Sequence, residues 1–183
     1  MREYLDHCQR NGWTPSVFGA AEETLAVYPS VGLSTFKIGD EALVTADEAT
    51  AASLLGGIAP AEGLEVWRYD RRAEPDPVLD EQIEEVSDEW LEAREVGELS
   101  FSFSPFTLEQ LDEVPVFVCG RPGGQLQAFC TWLPYRNGAT AALDMLRRRR
   151  DAPADVRERL LAVSLRALAD QNVKDASLSL IHI

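Results

Sequence analysis

Four consecutive arginines, Arg147, Arg148, Arg149 and Arg150, stand directly before Asp151 and Pro153, which announce a helix start. A guanidinium is permanently charged and carries its donors in a rigid fork suited to phosphate. The first backbone N–H groups of a helix lack intrahelical partners and favour anions. Arg148, Arg149 and Arg150 are therefore candidate phosphate ligands, against the alternative of a solvated basic loop. Other reactive side chains are scarce. The histidines are His7 and His182, near the two ends, which leaves little to build a His-based triad or a metal cluster on. Cys8, Cys119 and Cys130 show no C-x-x-C spacing, and an odd, sparse set argues for a reducing compartment rather than a disulfide framework. Cys119 and Cys130 sit in apolar, strand-like runs and read as buried thiols.

The elements around the arginines are legible from pattern. PVFVCG, RPGG and QLQAFCTWLP form a β-hairpin with Gly123-Gly124 at the turn. Asn137-Gly138 turns the chain again, and 139–147 reads as a third strand. The helix after Asp151 places Val156, Leu160, Val163 and Ala167 on its apolar side, and 176–183 reads as a last strand. The order is strand, strand, strand, helix, strand. Upstream, Asp76-Pro77 opens a helix with Leu79, Ile83, Val86 and Trp90 at helical spacing. The acidic residues between them read as a solvated face. Residues 64–69 alternate like a strand, 47–63 holds a short helix ending at Gly56-Gly57, and SVGLSTFKIGDEALV suggests two short strands around Gly39-Asp40.

Charge is unevenly spread. The chain of 183 residues has a formal net charge of −14; residues 1–115 carry 7 basic and 25 acidic side chains, and residues 116–183 carry 10 and 6. An acidic surface repels RNA and anionic lipid, so any such partner should meet the later part. No apolar run reaches the roughly 20 residues of a membrane helix, and MREYLDHCQR lacks the apolar stretch of a secretory signal.

Five phrases carry a resemblance. VGLSTFKIGDEALV, VSDEWL, GELSFSFSPF, VPVFVCGRPGGQLQAFCTWLP and ALDMLRRRRDAP occur in this order over residues 31–153. In sequence and spacing the chain resembles the C-terminal domain family of phosphatidylglycerol lysyltransferases, the aminoacyl-phosphatidylglycerol synthases. The resemblance implies an α+β, GNAT-like (acyl-CoA N-acyltransferase-like) mixed sheet with flanking helices, in tandem units. Residues 1–75 would end a first unit and 76–183 would begin a second, truncated one. It implies an aminoacyltransferase that moves an amino acid, lysine or alanine, from aminoacyl-tRNA to a hydroxyl of phosphatidylglycerol, peripheral to the inner face of the cell membrane. A membrane-embedded flippase domain is a further possible partner. Exchange of one ester for another needs no cofactor.

The same resemblance carries catalytic roles to Asp144 and Arg147, with Arg147 holding phosphate and Asp144 positioning the amino acid's ammonium or the attacking hydroxyl. One geometric condition follows: residues three apart on a regular strand face opposite sides, so the two share a site only if the strand bulges between them. Ser87, Asp88 and Trp90 match family positions, Trp90 as a packing residue, while Glu98 and Ser100 lead towards the expected cleft. The arginine stretch lacks the glycines of the coenzyme A loop of ordinary GNAT enzymes, which fits a tRNA or lipid phosphate better. Two features depart from the family pattern. TAASLLGGIAPAEG replaces a basic inter-unit helix. The chain also ends at DASLSLIHI, where Ile181, His182 and Ile183 look non-native and the gene truncated. The competing readings are an acyl-CoA-dependent N-acyltransferase of the same fold and a non-catalytic fragment or binding module.

Overall fold

The structure, a computed structural model, describes residues 1–20, 22–58, 63–93 and 106–181, with side chains through residue 178. The chain divides into two compact units, Met1–Gly39 and Asp40–Ile181. In the first, helix α1 (Arg2–Arg10) is followed by 3₁₀ turns at Glu22–Val27 and Pro29–Val31; Cys8 and Tyr28 are buried.

The second unit holds strands β1 (Asp40–Thr45), β2 (Glu65–Tyr69), β3 (Val116–Gly120), β4 (Leu126–Tyr135), β5 (Thr140–Arg148) and β6 (Asp175–Ile181). Its helices are α2 (Glu48–Leu54), α3 (Pro77–Glu92) and α4 (Val156–Asp170). The strands form one sheet in the order β1-β6-β5-β4-β3-β2, antiparallel throughout except for β5 and β6. The parallel β5–β6 ladder pairs Thr140–Ala142 with Asp175–Ser177.

Each helix forms for a local reason. The Asp76 carboxylate accepts from the N–H groups of Val78 and Leu79, and Pro77 occupies the first turn, where its missing N–H costs nothing. Leu79, Ile83 and Val86 then fall on one face and are buried. They pack with Val116, Val118, Phe129 and Met145 on one side of the sheet. On the other side, Val156, Leu160, Leu165 and Leu168 of α4 cover Phe117, Cys119, Cys130 and Trp132. The buried stripe of α4 runs through Leu165 and Leu168 rather than Val163 and Ala167, which stay half-buried. α2, capped by Asp47 on the Thr50 N–H, packs against α4, and Arg166 joins it through a bidentate ion pair with Glu48.

One expectation changes. Only the second of the two strands expected around Gly39-Asp40 forms, because β1 finds its ladder in β6, far along the chain, instead of in a local hairpin. Strands from before and after residue 75 share one sheet, in which β1 covers the edge of β6 and β2 the edge of β3. The hairpin forms as expected, with Gly123 at φ +67 in its turn.

At the hairpin's base, β4 bulges at Gln127, since Cys119 pairs with Ala128 and Gly120 with Leu126. The bulge draws backbone close to Gly120: an added Cβ would lie 2.8 Å from the Gln125 carbonyl oxygen and 3.0 Å from the Leu126 Cα. Neither atom can swing aside. Gly120→Ala should lower stability by about 1–3 kcal/mol, measured as a reduced urea midpoint with unchanged slope.

Candidate active site

Asp144 lies where β5 departs from regular pairing. Thr131 pairs with Met145 and Trp132 with Leu143, so Asp144 has no partner across the β4–β5 ladder. That is a β-bulge, and it resets which side chains face which helix. Before it, Ala141 and Leu143 pack on the α4 side; after it, Met145 packs on the α3 side although it stands two residues beyond Leu143. Arg147 follows Met145 by one strand period and reaches α3. The required kink is therefore present, and it falls at Asp144 itself.

The Asp144 carboxylate is held by Thr131, whose Oγ1 donates to Oδ2 at 3.1 Å. The same Oγ1 accepts the Met145 N–H at 3.1 Å, so the hydroxyl also secures a backbone amide at the bulge. Burial raises the Asp144 pKa above its ordinary value, opposed by the Thr131 hydrogen bond and by the field of Arg147.

Arg147 is 4% exposed. Its Nη1 donates to Ser87 Oγ at 2.5 Å, and its guanidinium carbon lies 5.0 Å from the Trp90 ring centre and 5.4 Å from that of Phe106. Two aromatic rings and a hydroxyl thus set the position of a permanent cation. Trp90 packs, as its place on the α3 stripe suggests, but part of what it packs against is this charge. Thr131 and Phe106 were not singled out from sequence. For Thr131 a signal existed: it is a lone hydroxyl within the apolar run QLQAFCTWLP, two residues after the inward-facing Phe129.

The arginine run does not form one patch. Strand alternation sends Arg147 and Arg149 to the α3 side and Arg148, half-buried, to the other; Arg150 is exposed. Arg149 donates to the Leu126 carbonyl (2.8 Å), to Glu85 (2.7 Å) and to Glu89 (3.3 Å). Glu89 also accepts the Arg150 N–H at 2.8 Å. The Arg149 fork is therefore engaged in tying β5 to α3 and is not presented to a phosphate. Glu98 and Ser100 lie outside the described residues. Cys119 and Cys130 are buried, and burial pushes both thiols up to about 12, far from a reactive thiolate. Among the described residues, no group of three His, Cys, Asp or Glu side chains could hold a metal ion. Among them, too, no helix is long and apolar enough to cross a membrane.

A family model described as "Phosphatidylglycerol lysyltransferase, C-terminal" matches residues 59–182, which include both Asp144 and Arg147. The chain belongs to this family. A phosphatidylglycerol lysyltransferase of Bacillus subtilis is 26% identical over 165 residues, covering 87% of this chain and 19% of that protein. A lysylphosphatidylglycerol biosynthesis bifunctional protein, LysX, of Nocardia farcinica is 36% identical over 94 residues, 48% of this chain and 8% of that one. The chain thus spans about a fifth, or less, of these family members. Two solved structures share its fold. The C-terminal domain of a putative lysylphosphatidylglycerol synthetase from Agrobacterium fabrum superposes with a TM-score of 0.82 at 23% identity. The L-PGS of Bacillus licheniformis superposes with 0.78 at 21%. Each comparison covers all of this chain and 59% of the other. The α+β architecture with its mixed sheet and flanking helices is that of this family.

The raised pKa of Asp144 has a consequence for folding. A carboxyl raised in the fold binds its proton more tightly folded than unfolded. It therefore contributes stability below the ordinary carboxylate pKa of about 4, and that contribution is lost as pH rises through the folded value. Asp144→Asn removes this titration. The urea midpoint of the variant, relative to the original protein, should rise as pH increases above the ordinary carboxylate value and level off beyond the folded one; a pH-independent difference would contradict the burial described.

Proposed function

We propose that this chain is the part of an aminoacyltransferase in which an amino acid, lysine or alanine, passes from aminoacyl-tRNA to a glycerol hydroxyl of phosphatidylglycerol. The reaction takes place at the inner membrane surface. The observation that carries this reading is the convergence of Asp144 and Arg147 on one face of the sheet, within the span that matches the family.

The chemistry fits the residues. The lipid hydroxyl attacks the ester carbonyl of the aminoacyl-tRNA. The tetrahedral intermediate collapses by releasing the terminal ribose hydroxyl of the tRNA, which takes up the proton that the attacking hydroxyl loses. One ester replaces another, so the work is positioning and charge stabilisation. Asp144 positions the attacking hydroxyl or the ammonium of the amino acid. An ordinary aspartate is a weak base at neutral pH, and a raised pKa makes it a better proton acceptor. Arg147 supplies a fixed positive charge to the phosphate or the developing oxyanion. Arg150, exposed, and Arg148, on the other side of the sheet, are left to meet tRNA or lipid phosphate; Arg149 stays with α3.

Two further features are part of the reading. Among the described residues the β5–β6 ladder extends to Ala142 and Ser177, so β6 pairs with β5 ahead of the bulge. The acidic face of α3, with Glu81, Glu84, Asp88 and Glu92 exposed, opposes approach of a polyanion from that side. In the complete enzyme a flippase domain would accept the product.

The test is lipid aminoacylation by the protein expressed from its complete reading frame. It uses phosphatidylglycerol vesicles and tRNA charged with one labelled amino acid at a time. Labelled lipid should form with lysyl- or alanyl-tRNA. Asp144→Asn and Arg147→Gln should each lower kcat by on the order of 100-fold, while Arg149→Gln should act on stability more than on kcat. No labelled lipid with any aminoacyl-tRNA, or an Asp144→Asn variant at full rate, would overturn the proposal.

A further inference from the structure

The Thr131 hydroxyl has one proton and sits between two groups with fixed demands. The Met145 N–H can only donate, and it donates to Thr131 Oγ1 at 3.1 Å. This takes up an acceptor position on Oγ1 and leaves the hydroxyl's one proton for its other neighbour, Asp144 Oδ2, also at 3.1 Å. Thr131 is 0% exposed, so water does not compete for that proton. The bulge therefore does two things at once: it turns Asp144 towards the α3 side, and it orients the donor that holds it there.

We propose that Thr131 is a positioning residue of the transfer reaction, whose hydroxyl, locked by the Met145 amide, fixes Oδ2 of Asp144 and leaves Oδ1 to meet substrate. This rests on the reading of the site as a transferase. Rotation of a carboxylate about its terminal bond is soft, because that torsion has broad wells. One oriented hydrogen bond at a buried oxygen removes the freedom. Arg147, the charged side chain whose field acts on Asp144, is itself fixed by Ser87, Trp90 and Phe106. From α3, Glu85 and Glu89 are bound to Arg149. β4 contributes the neutral Thr131. Among the described residues, then, the orientation of Asp144 depends on one hydroxyl and one cation. Thr131 also opposes the burial that raises the Asp144 pKa, so its loss has a signature in titration as well as in rate.

Three variants and one observation on the original protein separate this role from simple packing. Thr131→Val keeps the shape and removes the hydroxyl. It should lower kcat by about 10–100-fold with little change in the KM for lipid, and move the acid limb of the pH–rate profile to higher pH. Thr131→Ser restores the hydroxyl without the methyl and should return kcat to within about 3-fold of the original. In Asp144→Asn, removal of the Thr131 hydroxyl should have little further effect on rate. Equal loss in the Val and Ser variants, or a Val variant with unchanged kcat and pH limb, would overturn the proposal.

An activity-independent measurement stands beside these. By NMR on the original protein, the Thr131 hydroxyl proton should exchange slowly with solvent and shift as Asp144 titrates. A fast-exchanging hydroxyl, or one indifferent to that titration, refutes the locked geometry even if Thr131→Val fails to fold. If the original protein forms no aminoacyl lipid, the transferase reading fails; the hydroxyl signal still decides whether Thr131 orients Asp144.

Discussion

Side chains on a strand alternate, and everything at this site depends on one interruption of that rule. In a regular β5, Asp144 and Arg147 would face opposite helices. One unpaired residue in the β4–β5 ladder changes the parity, so that Met145, Arg147 and Arg149 all follow Asp144 to the α3 side. A bulge disrupts ladder pairing locally, and a buried amide left unpaired costs about 1–3 kcal/mol. Here the Thr131 hydroxyl takes the Met145 N–H, so the irregularity is stabilised by the same group that holds the acid.

The second constraint is the packing of α3. Its apolar stripe binds the sheet through Leu79, Ile83 and Val86, which sets the depth and rotation of the helix. The next turns then deliver Ser87 and Trp90 to Arg147, and Glu85 and Glu89 to Arg149. Two neighbouring arginines on the same face consequently have different fates. Arg147 is held near the rings of Trp90 and Phe106 and by the Ser87 hydroxyl, and its field acts on Asp144. Arg149 meets two carboxylates and a carbonyl and closes the helix onto the strand. Charge count alone does not separate these roles; the partner sixty residues upstream does.

What was legible in the sequence was what local rules govern. The hairpin follows from the Gly123 turn between alternating runs, and α3 from the Asp76-Pro77 start with apolar residues at helical spacing. The buried state of Cys119 and Cys130 follows from the runs that contain them. The three-residue spacing of Asp144 and Arg147 even poses the need for a bulge. Its position was not legible, because parity is decided by cross-strand pairing with Thr131 and Trp132 and not by β5 alone. Non-local pairing explains the other differences. β1 pairs with a strand 130 residues or more away, and β2 joins a hairpin that begins beyond α3, so strands from distant parts of the chain share one sheet. Thr131 carries its meaning only once its neighbours across the sheet are known.

The most direct test of the account is the titration of Asp144, followed by carboxyl carbon NMR in the original protein and in Arg147→Gln. If the bulge places the two on one face, removing the cation removes a stabilising field, and the Asp144 pKa rises further above its ordinary value in the variant. An Asp144 titration unchanged by Arg147→Gln would mean that the two side chains do not share a face, and the site described here would not exist.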